Sequence, residues 1–170
     1  MTDDLADKIL YGRDHEHARI FISSKMDGSL DDERKRTATV IGRLETHKAW
    51  WWEVDAPSGV LHSEKECIKF AGTSDGLILL IAGDLSTIIY SEFAAAVDAE
   101  AERYIFIREN EILPDHVKDF IAKQRGSVVT RNFQNIAELE THVYQSLKRT
   151  AVRAMREVQL ERRRRRGSKE

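Results

Sequence analysis

The chain has 170 residues, of which 41% are hydrophobic and 33% charged, with a formal net charge of −2; that balance fits a soluble globular domain and excludes a disordered or fibrous chain. The single cysteine, Cys67, excludes an internal disulfide framework and any multi-cysteine metal site. The longest apolar run, Leu77 to Ala82, is far below the roughly 20 residues of a membrane-spanning helix.

Residues 2–13 can form a short amphipathic helix through Leu5, Ile9 and Leu10. Ala18 to Ser23 is a compact apolar run and reads as the first strand. Ser29-Leu30-Asp31-Asp32 has the form of a capping box, opening a polar helix over about 30–46 with Val40, Ile41 and Leu44 turned inward. Aromatic and β-branched content makes 50–54 the second strand. Pro57 and Gly59 then break the chain, and Ser63-Glu64-Lys65-Glu66 caps a helix to about Gly72. Leu77 to Ala82 is the third strand, apolar on both faces, as the centre of a parallel sheet requires. A small-residue helix over about 88–101 follows, and then a fourth strand at 104–107. Pro114 opens a helix to about Gln124. A fifth strand is expected at 127–130 and a last helix begins after Asn135.

Five strands alternating with helices predict an α/β, flavodoxin-like three-layer sandwich. Its sheet is parallel, in the order 2-1-3-4-5, and a long helix closes the chain. The expected division is a body over 1–148 and a basic helical extension over 149–170. With one cysteine and no signal-peptide pattern, the cytoplasm is the expected compartment.

In such a sheet ligands bind beyond the carboxyl ends of strands one and three. Ser23, Ser24 and Asp27 follow the first strand, and Asp84 and Ser86 follow the third. Both loops lead into helix N-termini, whose free N–H groups favour phosphate or carboxylate. The competing reading makes these residues turn formers and caps. A phosphorelay receiver has the same architecture, but its acidic pair and lysine are missing: Ser23-Ser24 and Thr130-Arg131 stand there instead.

Phe21-Ile22-Ser23-Ser24 with Glu33-Arg34, His62-Ser63 before Glu66-Cys67, and Ser91-Glu92-Phe93 with trailing alanines resemble a TIR-like family of bacterial N-terminal domains of unknown function. The resemblance spans roughly 18–148. Its superfamily joins TIR domains with nucleoside 2-deoxyribosyltransferases, in whose enzymatic members a glutamate after strand three engages the ribose during N-glycosidic cleavage. Glu92 matches that glutamate, with Ser91 beside it. The resemblance therefore implies a hydrolase of NAD or a related nucleotide in bacterial defence or signalling, acting without a bound cofactor. Its alternative is a non-catalytic nucleotide-binding or self-associating module. Ile88, Ile89 and Tyr90 stand where catalytic TIR domains often carry an aromatic residue or cysteine. Independently of the family, a carboxylate near an N-glycosidic bond stabilises the developing oxocarbenium charge.

Trp50, Trp51 and Trp52 read as packing residues, with Trp52 placed to border a base. His15 and His17 have the spacing of a metal pair on a strand, but no second cluster accompanies them. Cys67 reads as an inert thiol facing the core. Ile136, Leu139, Val143, Leu147, Ala151, Met155 and Val158 continue one face of a single long helix. Residues 148–170 carry ten Lys or Arg against three Glu, while the rest of the chain carries 17 against 26. The extension can serve a homo-oligomer, a larger parent protein or, through Arg162 to Arg166, a nucleic acid.

Overall fold

In a computed structural model describing residue 12, residues 14–55 and residues 63–167 (backbone only at 52 and 53), the apolar run becomes β3 (Gly76–Ile81), every residue of it buried. β1 (Ala18–Ser23) and β4 (Glu102–Arg108) pair with it on either side, and β2 (His47–Trp50) and β5 (Thr130–Phe133) form the edges. All pairings are parallel, and the order is β2-β1-β3-β4-β5.

Alternation along the strands sends successive side chains to opposite faces and so builds two cores. Phe21, Leu77, Leu79 and Ile81 meet α3 (Ser63–Thr73), α4 (Thr87–Asp98) and α5 (Asp115–Gln124) through Ala71, Phe93 and Val117. Ile20, Ile22, Ile78 and Leu80 meet α1 (Asp31–Arg43) and α6 (Ile136–Gly167) through Val40, Ile41, Leu139, Val143 and Leu147. The result is the flavodoxin-like sandwich expected from the element order. The α3 and α4 helices approach closely because both carry small residues at the crossing: a Cβ on Gly72 would lie 3.4 Å from that of Ala95.

Three local expectations are corrected. The second strand lies earlier, at His47–Trp50, because Trp51 N–H donates to the Asp55 carboxylate at 2.9 Å and the chain turns into the short helix α2 (Trp52–Asp55). The fifth strand lies later, at Thr130–Phe133, because Ser127 and Val128 N–H still donate to the Gln124 carbonyl at 2.9 and 2.8 Å, continuing the end of α5. The box at Ser29 does not form: Leu30 is the N-cap of α1 and offers no side-chain bond, and Ser29 is bound to Asp27 instead. The expected helix over 2–13 lies outside the described residues apart from Gly12, as do residues 56–62.

The start of α6 is as read. Glu138 N–H donates to Asn135 Oδ1 at 2.9 Å, and the Glu138 carboxylate accepts from Gln134 N–H at 2.7 Å. Leu147 is the last buried residue of this helix, and residues 151–167 are all exposed. Among the described residues no helix is long and apolar enough to cross a membrane.

Candidate functional site

Ser23 ends β1 and Glu92 lies one turn and a half into α4, 69 residues further on. The parallel pairing of β1 with β3 and the packing of α4 over the sheet bring them together. Ser23 Oγ donates to Glu92 Oε2, and both side chains are buried, Glu92 being only 6% exposed. Burial pushes the Glu92 carboxyl up to about 7, against the opposing pull of its hydrogen bonds with Ser23 and Cys67. A carboxyl poised there exchanges its proton at neutral pH, as acid–base chemistry requires.

Glu92 and Ser23 line an open cavity of about 410 Å³ at the carboxyl ends of β1 and β3. Phe21, Ile22, Met26, Trp50, Ile88 and Ile89 give it apolar walls, and Ser24, Lys25, Asp27, Ser63, Glu64, Cys67 and Ser86 add polar groups. Apolar walls with polar groups converging on the same space are the usual form of a small-molecule site.

The predicted residues divide. Glu92, Ser23, Ser24, Asp27 and Ser86 line this cavity; Asp84 and Ser91 do not. Asp84 pairs with His116 Nε2 at 2.7 Å on the far side of its loop, and borders a separate hollow of about 150 Å³. Ser91 turns back on its own helix and donates to the Thr87 carbonyl at 3.0 Å. Ser86 caps α4, accepting from Ile89 N–H at 3.5 Å, so its wall position and its cap are one role. Asp27 is held down at about 2 by the Ser29 hydroxyl and N–H, and stays ionised beside Lys25 at 3.4 Å.

Sequence reading missed the supports. Arg34, 3% exposed, donates to Ser24 Oγ and to the Lys25 carbonyl, each at 3.1 Å, and pairs with Asp31 at 2.8 Å. It thereby fixes the loop after β1. Arg34 stands in the sequence only as part of the Glu33-Arg34 motif, and no local pattern there tells a buried arginine from a surface one. Cys67 belongs to the site as well: its thiol bonds Glu92 and is pushed up to about 12 by burial and by that carboxylate. Trp50 rather than Trp52 borders the cavity, but its rings are stacked between Phe21 at 4.9 Å and Phe70 at 4.4 Å. Both faces are therefore covered, and Trp50 offers an edge and not a stacking platform; the Trp52 side chain lies outside the described residues.

His17 Nδ1 lies 2.9 Å from Asp14, and among the described residues no group of three or more His, Cys, Asp or Glu is placed to hold a metal ion.

No protein-family model matches this chain. No curated protein matches it either. Among solved structures it is similar to the flavodoxin-like domain of a Synechococcus sp. protein, at 13% identity and a TM-score of 0.47, over 76% of this chain and 99% of that one. That likeness concerns the outline of the fold and assigns no residue.

Proposed function

We propose that the chain is a TIR-like nucleotide-processing domain that cleaves the N-glycosidic bond of NAD or a related nucleotide, with Glu92 as the central carboxylate. The observation that carries this reading is the buried Glu92–Ser23 pair on the wall of a small-molecule cavity. Cleavage builds positive charge on the sugar carbon and ring oxygen. An ionised Glu92 beneath the sugar stabilises that charge, and the low dielectric of its buried setting strengthens the effect. Ser23 steadies the carboxylate through its hydroxyl donor, and the Cys67 thiol does the same from α3. The edge of Trp50 together with Ile88 and Ile89 supplies apolar contact for a base.

A second reading rests on a specific departure. Ile88, Ile89 and Tyr90 replace the residues often found before the glutamate of catalytic TIR domains. On that reading the cavity binds a nucleotide without cleaving it, or the domain assembles with like domains. Purified chain is incubated with NAD, and nicotinamide release is followed by chromatography beside Glu92→Gln. Release lost in Glu92→Gln supports cleavage. A nucleotide-dependent rise in melting temperature without release supports the binding reading. Neither release nor a thermal response to nucleotides or nucleosides overturns both.

A further inference from the structure

The second half of α6 projects from the body and concentrates a third of the chain's 27 Lys and Arg residues. It is tied to the body by Arg153 with Glu102, at 2.7 Å, and by Thr150 with the Tyr104 hydroxyl. Glu102 is the first residue of β4. The rod therefore leaves at the amino ends of the strands, the opposite edge from the cavity. Residues 148–167 hold nine Lys or Arg against Glu157 and Glu161. At 1.5 Å per residue those 20 residues extend about 30 Å.

We infer that this projecting helix is a sequence-independent binding surface for duplex DNA. Four features select that partner. First, eight of the nine cations are arginines, whose planar fork matches phosphate oxygens. Lys148, Arg149, Arg153 and Arg156 already surround one open groove of about 420 Å³ with Thr150 and Val152. Second, the body is acidic, but the rod carries its far charges several times the roughly 8 Å Debye length at physiological salt, so the body's repulsion is screened. Third, residues 145–167 contain no aromatic side chain, so the rod lacks the stacking platforms that hold unpaired bases. A bare helix about 10–12 Å across does match the width of the B-DNA major groove. Fourth, the other occupants fit poorly. A second copy of the rod would set like charge against like charge along its length. A membrane surface needs a broad apolar face carried along the helix, whereas the exposed Val152, Met155, Val158 and Leu160 cover little more than two turns, without Trp or Phe, and residues 161–166 add no apolar side chain.

Arg153 and Arg165 are paired with Glu157 and Glu161, and without Arg164 about six further cations face phosphates: Lys148, Arg149, Arg156, Arg162, Arg163 and Arg166. Fluorescence anisotropy with a labelled duplex of about 24 base pairs tests the inference on the full chain in a NaCl series. The expected slope of log K against log[NaCl] is about −5, a loss of about 10³-fold in affinity between 50 and 200 mM. Replacing Arg162 to Arg166 by Gln, with helicity checked by circular dichroism, is expected to reduce the slope to about −3. Arg149→Gln with Arg156→Gln is expected to weaken binding as well, and Glu92→Gln to leave it unchanged. Binding unaffected by the arginine variants overturns the inference. So does tighter binding to single-stranded RNA of equal length, to polyglutamate or to anionic vesicles than to the duplex.

Discussion

Glu92→Gln offers a direct reading of how deeply the carboxyl is buried. Its proton is held up to about 7, from an ordinary value of 4.5. Below pH 4.5 both folded and unfolded chains carry the proton and burial has no electrostatic cost. Between those values the folded chain holds a proton that the unfolded chain has released, so stability falls as pH rises. Above about 7 the full cost is present. At 1.36 kcal/mol per pH unit it is about 3 kcal/mol. The neutral glutamine amide can still accept from Ser23 and escapes that cost. The variant is therefore expected to gain about 3 kcal/mol on the wild type between pH 4.5 and pH 8.5, or roughly 6–12 °C in melting temperature for a chain of this size. Urea unfolding of both proteins across that range measures it. Burial also depresses the His47 ring, which lowers stability as pH falls, the opposite sense, but this acts equally in both proteins and drops out of the difference. A wild-type-minus-variant difference that stays flat across the range refutes the argument, since it requires a carboxyl already in water.

Turnover of NAD by the ionised Glu92 is expected to rise with pH and level off above about 7; kcat/KM profiles of the wild type check this. Arg34→Met removes the donors to Ser24 and to the Lys25 carbonyl, and is expected to cost about 1.5–3 kcal/mol in urea unfolding and to weaken any nucleotide bound in the cavity. Cys67, with its thiol near 12, is expected to resist labelling by a disulfide reagent at pH 8 and to react promptly once urea unfolds the chain, as a colorimetric time course would show. Leu147→Ala, at the last buried turn of α6, is expected to cost about 2–5 kcal/mol, whereas Met155→Ala should change stability by less than about 0.5 kcal/mol.

Element order and central placement were legible without coordinates. A run as apolar as Leu77 to Ile81 has only the middle of a covered sheet as a place to lie, and helical periods on either side demand parallel crossovers. The long basic helix was legible for the same reason, since its apolar period runs on without a breaker. The edges were not. Trp50, Trp51 and Trp52 have strong strand character, but pairing with the four residues from Ala18 sets where β2 ends, and the Asp55 carboxylate turns the chain. At the other edge Thr130-Arg131-Asn132-Phe133 buries only Phe133, so no alternation announces it. Nor does any local pattern link Ser23, Cys67 and Glu92. The linear chain supplied a carboxylate on an alanine-rich helix and two serines after a strand; only the close approach of α3 and α4 over the sheet decided that they share a wall. It also turned Ser91 and Asp84 away, because a hydroxyl one position along a helix points about 100° from its neighbour, and an exposed aspartate takes the nearest histidine.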